Sequence, residues 1–306
     1  MDKMESRFSA VCEEAAAIAR DGPTAHFRPD ARQQAAEPKR TVTRNFKSLF
    51  LGPLYWLYQR RLLRQIDGGS MPRHVGIILD GNRRHARRHG LNDPYEIYQR
   101  GAEKLDDILD WCAALGIPAV TLWVFSTENL KRSPIEVSGI LTAIESKLTA
   151  LAQHPFIHRQ RVRVRAIGRL DILPAALVAA IRSAEAATAQ YNAMTLTIAV
   201  AYGGREEIVD AVRSFLKARA DEGASLPDVI ENITPDILAR YLYAGDLPDP
   251  DLIIRTSGET RLSGFLLWQS AYSELYFTDV NWPAFRMIDF LRAVREFQQR
   301  HRRFGG

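Results

Sequence analysis

Acidic, basic and hydroxyl side chains are concentrated in three short segments, each of which follows an apolar run of the sequence. Arginine binds phosphate groups through parallel hydrogen bonds, and serine or threonine hydroxyl groups add further donors. These residue types therefore indicate a site for anionic ligands that carry phosphate groups. The segments are Asp80-Gly81-Asn82-Arg83-Arg84, Ser126-Thr127-Glu128-Asn129-Leu130-Lys131-Arg132 and Arg255-Thr256-Ser257-Gly258-Glu259-Thr260-Arg261-Leu262-Ser263.

Asp80 is the acidic residue that could link a metal ion to such a ligand. It follows the apolar run 75–79, so its carboxylate is predicted at the end of a strand. Gly81 permits a tight turn, and the next helix would present backbone N–H groups to an anion. A carboxylate beside a phosphate group is repulsive unless a cation lies between them, and Mg²⁺ is the usual oxygen-ligated choice. The alternative interpretation is that Asp80 caps the helix while Arg83 and Arg84 are solvated.

The other two segments supply enough donors for a second anion beside the first. Residues 74–306 contain 28 basic and 28 acidic residues, so a need for solubility does not explain the arginines at the strand ends. Two diphosphates bound side by side with one divalent metal would explain them. No Walker-type lysine motif and no G-x-G-x-x-G follows a predicted strand, which argues against nucleotide hydrolysis and dinucleotide redox chemistry. The donors of the second site are Ser126, Arg132, Arg255, Ser257, Arg261 and Ser263.

The elements that must position these segments alternate between short β-branched runs and longer amphipathic stretches. This alternation predicts a doubly wound, mostly parallel α/β sheet with flanking helices, in which ligands bind at the carboxyl ends of the strands. Tyr202-Gly203-Gly204-Arg205 is either a helix start near this site or a sharp turn. Strands are predicted at Val75–Leu79, Ala119–Phe125, Val162–Ile167, Thr195–Ala201 and Leu252–Arg255, with a sixth considered at Phe265–Trp268, and helices at 105–115, Pro134–Leu151, Pro174–Ala189, Glu206–Arg219 and Arg286–Arg300.

Composition divides the chain into three predicted regions. Residues 1–38 read as a poorly ordered leader, residues 39–71 as a basic and aromatic helical extension, and residues 72–306 as the α/β domain that carries the site. With 46% apolar residues, disorder throughout is excluded, and no apolar run approaches the roughly 20 residues of a membrane-spanning helix. The two cysteines show no disulfide framework, and no signal peptide is recognisable, so a reducing, cytoplasmic setting is expected.

The extension carries the excess positive charge of the chain. Residues 1–73 contain 13 basic and 8 acidic residues, which accounts for the whole net charge of +5. Within Lys39–Arg64 there are 7 basic residues and no acidic one, around the aromatic run 49–58. Such a segment either lies peripherally on an anionic membrane surface or packs on the globular body with its basic side in water. Nucleic acid is not the expected partner, because no recognition motif accompanies the charge.

The three polar segments together resemble motifs of the cis-prenyltransferases, also called isoprenyl transferases or Z-type polyprenyl diphosphate synthases. The resemblance continues through the segments 265–269, 271–277, 282–283 and 302–306, and it covers essentially all of residues 72–306. Within the family, the sequence is most similar to the short-chain Z-farnesyl diphosphate synthase subgroup. Five ordered motifs at compatible spacing make chance agreement an untenable explanation.

The resemblance implies a homodimeric, Mg²⁺-dependent enzyme that condenses isopentenyl diphosphate with an allylic diphosphate and forms a cis double bond. Asp80 and Glu274 would hold the metal, with Glu274 contributed by the partner subunit, as would be the tail at 303–305. Asn129 takes the place linked to proton removal, and we expect it to orient a proton path because an amide is a poor base. The implied substrate-binding residues are Gly81, Asn82, Arg83, Arg84, His85 and Arg132 for the allylic diphosphate, Arg255, Arg261, Leu262 and Ser263 for isopentenyl diphosphate, and Ser126, Thr127 and Glu128 in the same pocket.

The sequence departs from the long-chain members at the allylic site. His85 and Leu130 replace tryptophans, and Tyr98 stands where a histidine is usual. An arginine that usually follows the first helix is also missing, and the candidates to compensate are Arg83, Arg87 and Arg100.

Val124 stands where long-chain relatives have alanine, on a strand that leads into the site. Its extra methyl groups would narrow a tunnel for the growing chain, which favours one condensation of geranyl diphosphate to (2Z,6E)-farnesyl diphosphate. One alternative is that Val124 packs in the core and that the residue limiting product length lies on Leu141–Leu151. A second is that the product is a long polyprenyl diphosphate of the undecaprenyl or decaprenyl type. A third is that the protein is a non-catalytic subunit. The presence of Asp80, Asn129 and Glu274 argues against the last of these.

Overall fold

A parallel six-stranded sheet forms the centre of the molecule. The computed structural model describes residues 46–300, with side chains from residue 54 onward. All neighbouring strands are parallel, in the order β3-β4-β2-β1-β5-β6. The predicted doubly wound α/β fold is thereby confirmed. The strands are β1 His74–Ile78, β2 Ala119–Trp123, β3 Val162–Ile167, β4 Met194–Ala199, β5 Leu252–Arg255 and β6 Glu274–Phe277.

The central strands are buried along their length, as continuous apolar runs in a parallel sheet require. Every residue of β1 and β5 is buried, and Val75 of β1 pairs with Val120 of β2 on one side and Leu252 of β5 on the other. The chain moves outward from β1 in one direction and then returns to its other side. Such a reversal places a crevice at the carboxyl ends of β1, β2 and β5.

Ten helices of the described part of the chain cover the sheet, and the predicted long helices are confirmed. Proline in the first turn and a capping side chain fix two of the starts, since Asp93 accepts a hydrogen bond from the Glu96 N–H and Ser133 accepts one from the Glu136 N–H. The helices are α1 Phe46–Ile66, α2 Asn82–His89, α3 Pro94–Ala114, α4 Pro134–Leu151, α5 Pro155–Arg159, α6 Ala175–Thr188, α7 Gly204–Asp221, α8 Leu226–Asn232, α9 Pro235–Ala239 and α10 Met287–Gln299.

The sixth strand is not the one considered at Phe265–Trp268. That segment is a series of turns, because Ser263, Gly264 and Leu266 have φ angles of 52°, 96° and 44°, far from extended backbone. Its apolar residues are buried by packing on the sheet: the Phe265 ring stacks on Trp123 with 5.4 Å between centroids. The edge strand is β6 instead, and its residues are half-buried.

The predicted N-terminal helical extension is observed as α1. Its inner face buries Leu62 and Ile66, and α1 packs against α10, where Arg292 Nε donates to the Tyr58 hydroxyl at 3.2 Å. The leader at residues 1–38 and the start of the basic segment lie outside the described residues. Over residues 46–300, none of the helices combines the length and apolar character that a bilayer crossing demands.

Candidate active site

The polar ends of β1, β2 and β5 converge on one cleft of about 410 Å³. This confirms the expectation that the three segments lie together at the carboxyl edge of the sheet. Arg87, one of the arginines considered as a replacement for the missing one, also lines it, together with Tyr98 and Glu259. The predicted residues in its walls are Asp80, Gly81, Asn82, Arg83, Arg84, Ser126, Glu128, Asn129, Arg132, Arg255, Arg261 and Ser263.

Asp80 and Arg255 form the ion pair at the base of the cleft. Arg255 Nη2 lies 2.9 Å from Asp80 Oδ2, and the Gly81 N–H donates to Asp80 Oδ1 at 2.7 Å. The Arg255 side chain is 6% exposed, whereas that of Asp80 is 32% exposed. The carboxylate therefore faces the cleft and keeps lone pairs available for a further partner.

Arg255 also shapes the loop that follows β5. Its Nη1 donates to the Ser263 hydroxyl at 2.8 Å and to the backbone carbonyl of Arg261. Ser257 and Gly258, with φ angles of 76° and 79°, turn the loop back over the strand end. One buried guanidinium thus fixes both the carboxylate and the loop that carries the second set of donors.

The turn after β1 needs glycine. Gly81 has a φ angle of 99°, and a Cβ atom there would lie 2.5 Å from Asn281 Oδ1 and 2.8 Å from Ser257 Cβ. Gly81 is the N-cap of α2, so the interpretation of Asp80 as the cap is wrong. The first turn of α2 therefore points into the cleft, as a site for an anion requires.

The two arginines of that turn differ in their surroundings. Arg84 Nη1 donates to the Ser257 backbone carbonyl at 2.5 Å and to its hydroxyl at 2.7 Å, and Nη2 pairs with Glu259. Arg83 is 54% exposed, with Nε 3.7 Å from Glu136 Oε1. Arg84 therefore ties α2 to the loop after β5, while Arg83 projects toward α4.

A third basic group enters from α4 and its preceding loop. Arg132 Nη1 donates to the Tyr98 hydroxyl at 2.8 Å and to Glu136 Oε1 at 2.9 Å, and the Tyr98 hydroxyl donates to the same oxygen at 2.7 Å. Burial raises the pKa of Tyr98 above its ordinary value, so it stays a neutral donor. Sequence reasoning missed Glu136, because a glutamate after Ser133-Pro134 is typical of an ordinary helix start.

Asn129 has a structural role in this arrangement. Its Oδ1 accepts from the Ser126 N–H at 3.1 Å, while the Ser126 hydroxyl accepts from the Asn129 N–H at 3.2 Å. This reciprocal pair caps the 3-10 turn Thr127–Lys131 that follows β2. The amide is thereby held in the cleft wall in one orientation.

Five residues of the predicted set lie outside the walls of this cleft: His85, Thr127, Ser257, Leu262 and Glu274. His85 stacks on His89, with 4.0 Å between ring centroids. Glu274 is the first residue of β6, so it lies at the amino ends of the parallel strands, whereas Asp80 follows the carboxyl end of β1. The Glu274 side chain pairs with Arg300 Nη1 at 3.0 Å. Within one chain Glu274 and Asp80 are therefore not neighbours, and the tail at 303–305 lies outside the described residues.

The donor set fits Mg²⁺ bound jointly with a diphosphate. No group of three or more His, Cys, Asp or Glu side chains suited to a metal occurs among residues 46–300, so the protein does not supply a complete cage there. Mg²⁺ commonly takes one or two carboxylates and completes its octahedron with phosphate oxygens and water. Asp80, partly exposed and surrounded by basic groups, offers that single hard oxygen ligand.

An apolar cavity of about 60 Å³ continues from the cleft toward the interior. It lies between α3, α4 and the sheet, and its deeper wall includes Ala143, Ile144 and Leu148 of α4. The residues that line both spaces, and so mark the mouth, are Leu79, Asn82, Tyr98, Val124 and Ile140. A charged head group in the cleft could therefore extend an apolar tail into the cavity.

Tyr202-Gly203-Gly204-Arg205 is a helix start beside this site. Gly203 is the N-cap of α7, and the Gly204 N–H donates to the Gly264 carbonyl at 2.9 Å. The interpretation as a helix start near the site is thus the correct one of the two.

Comparison with known proteins gives consistent matches. A sequence profile for the family described as "Putative undecaprenyl diphosphate synthase" matches residues 78–305. An isoprenyl transferase of Deinococcus radiodurans is 53% identical over 273 residues, covering 89% of this chain and 97% of that protein. A (2Z,6E)-farnesyl diphosphate synthase of Thermobifida fusca is 50% identical over 253 residues, covering 84% of this chain and 96% of that protein.

A solved structure agrees with these sequence matches. The crystal structure of lavandulyl diphosphate synthase from Lavandula x intermedia, in complex with dimethylallyl diphosphate, superposes with a TM-score of 0.70 at 36% sequence identity. The match covers 77% of this chain and 99% of that chain.

Proposed function

Because this chain belongs to the cis-prenyltransferase family and is a prenyltransferase of isoprenoid biosynthesis, we propose that it condenses isopentenyl diphosphate with geranyl diphosphate to give (2Z,6E)-farnesyl diphosphate. The observation that carries the proposal is the basic cleft that opens into an apolar cavity with Val124 at its mouth. The profile that matches describes an undecaprenyl diphosphate synthase, so a long-chain product is the alternative to be tested.

The allylic diphosphate is assigned to the half of the cleft formed by α2 and Arg132. The first turn of α2 supplies backbone N–H groups, and Arg83, Arg84 and Arg132 supply positive charge. Asp80 would hold Mg²⁺ here, and the bound ion would neutralise charge on the leaving diphosphate. The apolar tail then enters the cavity past Val124 and Asn82.

Isopentenyl diphosphate is assigned to the other half, where the loop after β5 brings Arg255, Arg261 and Ser263 together. Holding both diphosphates sets the alkene carbon C4 of isopentenyl diphosphate against C1 of the allylic substrate, so the reaction becomes effectively intramolecular. The new C–C bond forms as the allylic C–O bond breaks, and the C2 proton leaves to restore a double bond. Asn129 orients that proton path, and the leaving diphosphate or Asp80 accepts the proton.

The proposed active form is a homodimer in which Glu274 of each chain completes the metal site of the other. The homodimer is supported by the position of Glu274 at the amino end of β6, at the other end of the strands from Asp80 of the same chain. The Glu274 side chain is 24% exposed. The family resemblance gives this residue the role of a metal ligand.

Product length gives a direct test, because Val124 lines the mouth of the cavity. Val124→Ala is expected to lengthen the product beyond fifteen carbons, since removing two methyl groups relieves an overlap that costs about 1–3 kcal/mol, roughly a tenfold to hundredfold barrier to extension. Chromatography of the dephosphorylated products measures the chain length.

Val120→Ala is the matched control, since Val120 lies on β2, four residues before Val124, and is fully buried but does not line the cavity. Wild-type products of fifty or more carbons would establish the long-chain alternative. If the Val124→Ala variant still made only fifteen-carbon products, the residue that limits product length would be a different one.

We also propose that the protein lies peripherally on anionic membrane surfaces through α1, as a cytoplasmic enzyme. The outer face of α1 exposes Leu54, Trp56 and Leu57 by 62%, 53% and 57%, and the Arg60 guanidinium lies 4.6 Å from the Trp56 ring centroid. An apolar and basic face on a helix whose other face is packed is suited to the lipid interface.

Vesicle co-sedimentation tests this contact with the full chain. The double variant Trp56→Ser and Leu57→Ser should lose binding to phosphatidylglycerol vesicles, and wild-type binding should weaken as salt is added. The control is Leu226→Ser with Ile230→Ser, because these α8 side chains are at least as exposed, at 68% and 63%, but belong to a helix outside the basic segment. Equal partitioning of all three proteins would refute the membrane contact.

A further inference from the structure

One carboxylate joins the two halves of the cleft. Glu259, in the loop after β5, pairs through Oε1 with Arg84 Nη2, and its Oε2 accepts a hydrogen bond from Arg261 Nη1 at 2.6 Å. Both arginines line the cleft, Arg84 in the half assigned to the allylic diphosphate and Arg261 in the half assigned to isopentenyl diphosphate. A single side chain therefore occupies donors in both half-sites.

The carboxylate competes directly with the phosphate groups of the substrates. Hydrogen bonds from Arg84 and Arg261 hold the pKa of the Glu259 carboxyl below its ordinary value, so it is charged at neutral pH. Hydrogen bonds between ions are roughly twice as strong as neutral ones. Because a diphosphate and a carboxylate repel each other, a diphosphate that binds either arginine must displace Glu259 from it.

The Glu259 side chain can leave the arginines while the loop keeps its position. The backbone N–H groups of Ser257 and Gly258 donate to the carbonyls of Val280 and Thr278, at 2.9 Å and 2.8 Å. The chain just before Glu259 is thus anchored by its backbone. The Glu259 side chain is 25% exposed, so it has a direct path to water.

Displacement from one arginine frees the other as well. The two oxygens that pair with Arg84 and Arg261 belong to one planar carboxylate, so the side chain cannot turn away from one arginine and keep its position on the other. Arg84 stays in place when this happens, because its Nη1 donates to the Ser257 hydroxyl at 2.7 Å. The empty cleft therefore has a closed arrangement, with Glu259 on both arginines, and an open one with both arginines available.

We propose that Glu259 couples the two half-sites: the first diphosphate to bind displaces it from both arginines, and the second diphosphate then binds more tightly. Glu259 is a positioning residue that acts through Arg84 and Arg261. The first ligand alone works against the closed arrangement, which is the condition for positive cooperativity. This inference rests on the proposed function, in that the two halves of the cleft take two diphosphates. Its consequence is a cleft that favours the state with both substrates bound.

Calorimetry on the full-length protein with Mg²⁺ measures the coupling without turnover. The dissociation constant of isopentenyl diphosphate is determined alone and with saturating geranyl S-thiolodiphosphate, an allylic analogue whose C–S bond resists cleavage. The ratio of the two constants is the coupling factor. We expect a factor of about ten in the wild-type protein, and the same factor when the order of titration is reversed.

Glu259→Gln is expected to reduce the coupling factor to below about two. The amide keeps the shape of the side chain but loses its charge, so it holds the arginines more weakly. Each diphosphate alone should then bind more tightly than it binds the wild-type protein, because the closed arrangement no longer competes with it. Glu259→Asp tests the bridging itself. It keeps the charge on a shorter side chain that reaches one arginine at a time, and it should lower the factor as well.

Glu136→Gln is the matched control. Glu136 Oε1 accepts a hydrogen bond from Arg132 Nη1 at 2.9 Å and lies 3.7 Å from Arg83 Nε, so this carboxylate also joins two arginines of the cleft. Both of them belong to the allylic half. The variant should change the affinity for the allylic analogue and leave the coupling factor at the wild-type value.

Three results would overturn the coupling: a wild-type factor near one, an unchanged factor in Glu259→Gln, or weaker binding of isopentenyl diphosphate alone to that variant. The last of these would make Glu259 a fixed support for the arginines. The length of the product is measured separately by chromatography. Products of fifty or more carbons would refute the farnesyl product of the proposed function, but they do not enter the ratio of dissociation constants, so the two failures are distinguishable.

Discussion

Replacing Asp80 with alanine is expected to reduce prenyl transfer by at least about 10³-fold while the fold is retained. Asp80 is the carboxylate of the cleft that faces the proposed Mg²⁺ and diphosphate, and its neighbours are donors that cannot replace it. Arg255 keeps its bonds to Ser263 and to the Arg261 carbonyl, so the loop after β5 stays in place. Incorporation of labelled isopentenyl diphosphate measures the loss, and circular dichroism checks the fold.

The control for this variant is Asp246→Ala. Asp246 also pairs with an arginine of the sheet, at 2.7 Å from Arg165 Nη1, but lies outside the cleft. It should keep wild-type activity. If Asp80→Ala itself showed near-normal activity, the assignment of Asp80 as the metal ligand would be wrong.

Changing Arg255 to lysine should lower kcat/KM for isopentenyl diphosphate by about 10²-fold. A lysine keeps the charge but lacks the planar fork that bonds Asp80 and the Ser263 hydroxyl at the same time. The loop that carries Arg261 would lose its anchor, because a lysine cannot reproduce the bonds that Arg255 Nη1 makes to the Ser263 hydroxyl and the Arg261 carbonyl. We therefore expect a lower melting temperature together with the kinetic loss.

Arg165→Lys provides the comparison for Arg255→Lys. Arg165 on β3 makes two bonds to the Asp246 carboxylate, at 2.8 Å and 2.7 Å, but does not line the cleft. Its kinetics should match the wild type. Unchanged kcat/KM in Arg255→Lys would contradict the role of the buried guanidinium in substrate binding.

The chemistry-bearing residues could be predicted from the sequence because they follow strands whose apolar runs are continuous. The ends of β1, β2 and β5 meet at one edge in any parallel sheet that contains them as neighbours. Asp80, Arg132 and Arg255 are therefore brought together by fold-level rules alone. The long helices could also be predicted, because their starts carry proline and capping residues.

Residues that depend on tertiary contacts could not be predicted in this way. The run 265–268 has the composition of a strand, yet positive φ angles at Gly264 and Leu266 and burial against Trp123 make it a turn. Glu136 resembles any first-turn glutamate until α4 is placed against Tyr98. No local pattern states which partner a side chain meets across a helix interface.

The strand order affects how the protein folds while it is being synthesised. The first four strands of the chain form the contiguous half-sheet β3-β4-β2-β1, in which the far edge of β1 has no partner until β5 is added. Asp80 and Arg255 are 175 residues apart in the chain, so the base of the cleft is completed late. A nascent or truncated chain that stops before Leu252 would present an apolar open edge in the middle of the future sheet. Exposed edges of this kind favour aggregation, so chaperone protection would matter most during this interval.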